Sequence, residues 1–124
     1  MDPAVLREDM VDSLEHESKG CLHGETVSLA MRDVPRHEFV GDEQSAYADK
    51  AFDRHGTRVL SPSTAARLLE ALAPEPGERA LVVGAGVGYT AAVIAEVVGA
   101  ARTHAIDVNR KLVYEARSNL ASAG

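Results

Sequence analysis

Apolar positions recur along this chain in two rhythms, and the change between them divides it into unequal parts. Up to about Gly56 the spacing is helical. Asp2-Pro3 opens a helix, because proline in the first turn gives up an N–H that would have no partner there. Leu6, Met10 and Leu14 then fall on one face, with Val11 beside them. The polar stretch 15–24 reads as a turn. A second short helix carries Val27, Ala30, Met31 and Val34 on its apolar side and is stopped by Pro35. Residues 36–56 keep no clear period and read as an extended loop with short pieces of structure, anchored by Phe39, Tyr47 and Phe52.

From residue 57 onward, helix and strand alternate. Ser61-Pro62 predicts a helix start, with a capping hydroxyl followed by proline, and Ala65, Leu68, Leu69 and Leu72 follow at helical spacing. The stretch 74–77 (Pro-Glu-Pro-Gly) ends that helix. A buried strand through Leu81, Val82 and Val83 then runs into glycines at every second position and leaves as an apolar helix from Thr90 to Val98. After Gly99 comes a second strand, Thr103-His104-Ala105-Ile106, which ends in Asp107. A last helix from about Arg110 holds Leu112, Val113, Ala116 and Leu120 on one face. Strands alternating with helices predict an α/β fold with a parallel sheet.

The chemistry gathers where the first strand ends. Gly84, Gly86 and Gly88, with Ala85 and Val87 between them, make a turn with no side chain in the way. A flat ligand can approach such a backbone, and the unpaired amides of the helix that follows face whatever anionic group it carries. Asp107 lies nineteen residues after Gly88 at the carboxyl end of the second strand, where a ribose hydroxyl pair would be held. Together these features describe an adenosine-ligand site. The dinucleotide fingerprint Gly-x-Gly-x-x-Gly would need its third glycine at position 89, which is Tyr89, so a nicotinamide dinucleotide is disfavoured.

Composition narrows the classes further. A chain of 124 residues can bury one core, and 45% hydrophobic against 26% charged residues is the balance of a soluble globular protein. No apolar run approaches a membrane span, and Met1-Asp2-Pro3 lacks the basic-then-apolar pattern of a signal peptide. The single cysteine, Cys21, cannot close an internal disulfide, which fits a cytoplasmic location. A net charge of −6 argues against nucleic acid as a partner. His16, Cys21 and His23 fit no standard ligand spacing, so no metal is expected.

One family matches this order of segments. The segments Met10-Val11-Asp12-Ser13-Leu14, Ala30-Met31-Arg32-Asp33-Val34-Pro35-Arg36-His37-Glu38-Phe39-Val40, Ala46-Tyr47-Ala48-Asp49 and Leu60-Ser61-Pro62, followed by Val82-Val83-Gly84-Ala85-Gly86-Val87-Gly88-Tyr89-Thr90-Ala91, resemble the N-terminal half of the protein-L-isoaspartate O-methyltransferases. Val-Pro-Arg-His-x-Phe-Val followed by Tyr-x-Asp is more specific than the glycine turn. The resemblance implies a Rossmann-like fold with a partial parallel sheet: a helical and loop segment over 1–56, then the first part of the cofactor-binding domain over 57–124, one domain overall. It implies S-adenosyl-L-methionine as cofactor and the carboxylates of isoaspartyl residues in damaged proteins as substrates. Gly84, Ala85, Gly86 and Gly88 would pass beneath the methionine part, Asp107 would hold the ribose, and Val108 and Asn109 would lie near the adenine. The loop before the Ser61 helix would meet the isoaspartyl carboxylate, which makes Ser61 the candidate on the acceptor side.

The chain departs from that family in three places. Val82 stands where an acid is usual, and Leu60 stands where the substrate loop's serine is expected. Family members also continue for about as much sequence again beyond Gly124. Plainer roles stand beside the sharper ones: Ser61 or Asp107 as a helix cap, His37 as a packing residue, and Arg36 as an ion-pair partner rather than a substrate ligand. Tyr47 and Asp49 would fix the loop over the cleft. A non-catalytic relative serving as a ligand-binding or interaction module is the alternative function. In either case the strand 81–83 is expected to leave an open edge through which copies could associate.

Overall fold

The computed structural model describes residues 2–16, 19–54 and 56–123. Glu17 and Ser18 of the expected turn lie outside the described residues. The order is α1 (Pro3–Glu15), α2 (Glu25–Asp33), α3 (His37–Val40), β1 (Phe52–Arg54), β2 (Thr57–Val59), α4 (Pro62–Leu72), β3 (Ala80–Val83), α5 (Tyr89–Val98), β4 (Thr103–Ile106) and α6 (Arg110–Ala123). A single 3-10 turn, Ala100–Arg102, leads into β4.

Local chemistry sets the helix ends. The Asp2 carboxylate caps α1 by accepting from the Ala4 amide at 2.9 Å, with Pro3 in the first turn. Ser61 does the same for α4 through the Thr64 amide, again with proline following. Arg32 on α2 reaches Glu8, Asp12 and Glu15, three acids spaced along one face of α1, and ties the two helices at the surface. Such exposed ion pairs fix orientation more than they stabilise.

Met10, Val11 and Leu14 of α1, Val27, Ala30 and Met31 of α2, and Phe39 and Val40 of α3 share one core with Ala65, Ala66 and Leu69 of α4 and Ala92, Val93 and Ile94 of α5. The helical N-terminal segment is therefore packed continuously against the α/β part. Residues 36–56, expected as an extended loop with short pieces of structure, contain the short helix α3 and the first strand of a hairpin. In that hairpin Phe52 pairs with Val59, Asp53 with Arg58 and Arg54 with Thr57, antiparallel, and Gly56 with φ +78° sits at its turn. The hairpin spans both sides of residue 56.

β3 and β4 run parallel, with Ala80 opposite Thr103 and Val83 opposite Ile106. Only one face of this pair is covered: Val82 packs on the core, while Leu81 and Val83 are 62% and 73% exposed and Ile106 is 53% exposed. The expectation of a buried strand holds for that one face. α5 packs against both strands and supplies the crossover between them.

In α4 the buried residues are Pro62, Ala65, Ala66 and Leu69. Leu68 and Leu72, read from spacing as core positions, are each 58% exposed. The helix is apolar over more than one face, and spacing alone does not say which face the neighbours cover. Truncating Leu69 to alanine should therefore cost about 2–4 kcal/mol in chemical denaturation, and Leu68→Ala less than about 1 kcal/mol. Equal losses would mean that α4 is rotated from the orientation described.

Candidate functional site

β3 ends at Val83, and the chain reverses through Gly84–Gly88 into α5. The Gly84 and Ala85 amides still donate to the Ile106 carbonyl, at 2.8 and 3.0 Å, so the ladder to β4 extends into the turn. Gly88 then donates to Ala85 O at 3.0 Å and closes it. Gly84, Gly86 and Gly88 all have positive φ, +73°, +58° and +97°. At Gly88 a side chain would be strained and also crowded, because a Cβ would come within 3.3 Å of Ala116 on α6. At Gly86 the space is open, with only Thr57 in ordinary contact distance, so a side chain there would be strained by the positive φ but would project into the cleft without a clash. The first intrahelical bond of α5 runs from Ala92 to Gly88 at 2.9 Å, which leaves the Tyr89, Thr90 and Ala91 amides ahead of it.

Asp107 follows β4 and fastens the turn. Its Oδ2 accepts from the Gly86 amide at 3.0 Å, and its Oδ1 accepts from the Asn109 amide at 2.9 Å. The Asn109 amide, then the Gly86 amide, hold the Asp107 carboxyl below its ordinary range, with burial opposing only slightly. Asn109 in turn accepts from the Lys111 amide at 3.0 Å, so it is Asn109 that caps α6. Val108 is fully exposed beside it. Asp107 and Val108 line a shallow hollow with Arg110, Val113, Tyr114 and Arg117.

On the opposite side of the Gly86–Asp107 bond lies a cleft of about 100 Å³, walled by Thr57–Leu60 on one side and by Gly84–Val87, Tyr89 and Thr90 on the other. A roomier hollow of about 380 Å³ lies between α2, α5 and α6, but alanines and aliphatic chains form most of its wall.

Of the residues singled out for the acceptor side or over the cleft, Leu60 alone lines it. The Ser61 hydroxyl is engaged in capping α4, with Thr64 Oγ1 at 3.0 Å and the Thr64 amide at 3.3 Å. Asp49 accepts from the Ser63 amide at 3.0 Å and from Lys19 at 2.8 Å, and so pins its loop to the start of α4. Burial opposes ionisation of Asp49, but these two bonds outweigh it and lower the carboxyl's pKa. Tyr47 Oη is bonded to His37 Nδ1 at 2.8 Å and accepts from Arg7 at 3.3 Å, so His37 and Tyr47 belong to the packing of the N-terminal segment. Cys21 is buried, with its thiol 3.6 Å from the Lys19 carbonyl, and His23 is exposed.

The family comparison can be set against this geometry. The family model described as Protein-L-isoaspartate(D-aspartate) O-methyltransferase (PCMT) matches residues 6–124. The chain belongs to this family. A protein-L-isoaspartate O-methyltransferase of Aeropyrum pernix is 39% identical over 93% of this chain and 45% of its own length. One from Methanopyrus kandleri is 38% identical over 95% of this chain and 53% of its own. The chain thus spans about half the length of the curated relatives it matches. The fold agrees: a Plasmodium falciparum structure, named as a protein-L-isoaspartate O-methyltransferase in complex with S-adenosyl-L-homocysteine, superposes with a TM-score of 0.77 at 23% identity, over 94% of this chain and 56% of that one. A second structure named for the same enzyme gives 0.76 at 26% identity over 94% of this chain.

Membership in the isoaspartate methyltransferase family gives the Val34–Val40 segment a structural meaning. Val34, Arg36, Phe39 and Val40 are all buried, so the motif is a piece of core beside the cleft. Sequence spacing left Arg36 between ion pair and substrate ligand; among the described residues it is buried and makes no ion pair. Its Nε donates to the Ala46 carbonyl at 2.8 Å and its Nη2 to the Leu60 carbonyl at 2.9 Å, and its guanidinium lies 4.7 Å over the Tyr89 ring. The wall Thr57–Leu60 is the loop expected before the Ser61 helix, and what sequence reading missed is its hairpin strand, whose local signal is a glycine between Phe52-x-Arg54 and Thr57-x-Val59.

The Asp107–Gly86 bond has a pH signature. A carboxyl with a depressed folded-state pKa holds its donors above the ordinary value and releases them as pH falls through the lowered one. Followed by NMR, the Gly86 amide should shift with a midpoint below 3.8, the ordinary value for aspartic acid. A midpoint at or above that value would show that Asp107 does not hold the turn.

Proposed function

We propose that this chain forms the cofactor-binding part of a protein-L-isoaspartate O-methyltransferase, with S-adenosyl-L-methionine as methyl donor and the side-chain carboxylate of isoaspartyl residues in damaged proteins as acceptor. The observation that carries this reading is the Gly86–Asp107 bond, which ties the glycine turn lining the cleft, with the Tyr89 and Thr90 amides on the same wall, to the strand-end carboxylate that borders the neighbouring hollow. The named relatives and the S-adenosyl-L-homocysteine in the Plasmodium falciparum neighbour support it.

In this reading Gly84, Ala85, Gly86 and Gly88 present backbone to the methionine part, and Asp107 keeps a lone pair on each oxygen for the ribose hydroxyls. Val108 and Asn109 border the adenine. When bound, the cofactor supplies a methyl group on a sulfonium, which leaves without help from an acid. The acceptor carboxylate is already ionised at neutral pH. What remains for the protein is alignment and exclusion of water, so positioning is the main contribution. Thr57–Leu60 and the capped start of α4 at Ser61 form the side from which the acceptor would enter. A reducing cytoplasm suits the single, buried thiol of Cys21.

Calorimetric titration with S-adenosyl-L-homocysteine tests this directly. The wild-type chain should bind. Asp107→Ala should weaken binding at least about tenfold through loss of charge-assisted contacts. Gly86→Val should abolish binding while helix content by circular dichroism stays near wild type. Unchanged affinity in both variants would remove the glycine turn from the ligand site. A methyl-transfer assay on an isoaspartyl peptide then separates an enzyme from a binding module.

The same reading includes self-association. β3 pairs only with β4 among the described residues, and Leu81, Val83 and Ile106 form an exposed apolar stripe beside its open edge. Sedimentation should show concentration-dependent association that Val83→Lys weakens. A monomer at every concentration would contradict it.

A further inference from the structure

Arg36 is fully buried, and no carboxylate pairs with it among the described residues. Burial pulls its pKa down, with the neighbouring Tyr89 opposing. An unpaired buried cation is costly, and an aliphatic side chain would fill the same space without that cost. A guanidinium adds a rigid fork of donors and a flat face. Here the fork meets two carbonyls, Ala46 and Leu60, and the face lies over Tyr89, which is itself set edge-on against Phe39 with centroids 5.7 Å apart. Nη1 of Arg36 and the Tyr89 hydroxyl are both buried without a hydrogen-bond partner.

Leu60 and Tyr89 belong to opposite walls of the cleft. Leu60 directly precedes Ser61, the cap of α4, and Tyr89 is the first residue of α5 after the glycine turn. No hydrogen bond joins residues 57–60 directly to residues 84–90 among the described residues. The Arg36 guanidinium reaches both walls, through the Leu60 carbonyl on one side and the Tyr89 ring on the other.

We propose that Arg36 is a positioning residue that fastens the acceptor-side wall at Leu60 to the cofactor-side turn at Tyr89, so that the two walls of the cleft open and close as one unit. It acts from behind the cleft, through a carbonyl on one side and an aromatic face on the other. The coupling is a property of the unliganded chain. Its service to methyl transfer rests on the function proposed above: a ligand that orders the glycine turn would also order the segment where the acceptor enters.

Amide hydrogen exchange across residues 57–64 and 84–92 tests this in the 124-residue chain without ligand. Tyr89→Leu removes the face under the guanidinium. It should speed exchange across 57–64 by about tenfold when Arg36 is present, and leave that segment unchanged in the Arg36→Met background. Arg36→Lys can keep a cation over the ring and reach one carbonyl, so it should retain part of the coupling. A purely structural arginine would instead make the two substitutions additive. Additive effects, or no response of 57–64 to Tyr89→Leu in wild type, would overturn the proposal. Should Arg36→Met fail to fold, the Arg36→Lys cycle decides, and coupling equal to wild type there would overturn it.

A second arm adds S-adenosyl-L-homocysteine. In wild type both segments should gain protection, and in Arg36→Met or Arg36→Lys the gain at 57–64 should shrink while that at 84–92 stays. Undiminished protection at 57–64 in these variants would contradict the proposal. Failure of the wild type to bind at all would refute the proposed function, and the ligand-free cycle would still decide the role of Arg36.

Discussion

A single carboxylate, that of Asp107, joins the ends of the two parallel strands, and the shape of the site follows from that bond. A turn of alternating glycines is entropically expensive to order, since each glycine gives up more freedom on folding than any other residue. Three inputs hold it: the ladder that continues from β4 to Gly84 and Ala85, the closure from Gly88 to Ala85, and the Asp107 bond to Gly86. The same carboxylate accepts from Asn109, which caps α6, and α6 presses Ala116 against Gly88. The turn, the strand end and the following helix therefore form one assembly, and its open side is the cleft.

The N-terminal half frames that cleft from outside. Its helices share a continuous core with α4 and α5, and its polar groups hold loops. Asp49 pins residues around Tyr47 to the start of α4, Arg7 and His37 hold Tyr47, and Arg36 ties Ala46, Leu60 and Tyr89. The methyl transfer proposed above needs little acid–base help and would place its demand on such a frame, through alignment. The segment with the most distinctive sequence, Val34–Val40, belongs to this frame, with Val34, Arg36, Phe39 and Val40 buried.

Much of this was legible in the chain. The glycine turn between a strand and an apolar helix, the acid after the second strand, and the proline-marked starts of α1 and α4 depend on local rules, and local rules can be read from neighbours in sequence. Other features depend on what lies across the fold. Leu68 and Leu72 have the spacing of core residues but face outward, because Leu69 and the alanines of α4 take the side toward α1 and α2. Leu81 and Val83 read as buried because they are apolar, yet one face of the sheet is uncovered. The hairpin around Gly56 has strands of only three residues, too short for alternation to stand out. Arg36 could not be placed from spacing at all, since its partners are 10, 24 and 53 residues away in sequence.

The most direct measurement is a crystal structure of this chain with S-adenosyl-L-homocysteine. The ribose hydroxyls should lie within hydrogen-bond distance of Asp107, the methionine part should cross Gly84–Gly88, and the sulfur should face the wall formed by Thr57–Leu60. A ligand seated in another hollow, or one that leaves Asp107 bonded only to Gly86 and Asn109, would contradict the assignment of this cleft.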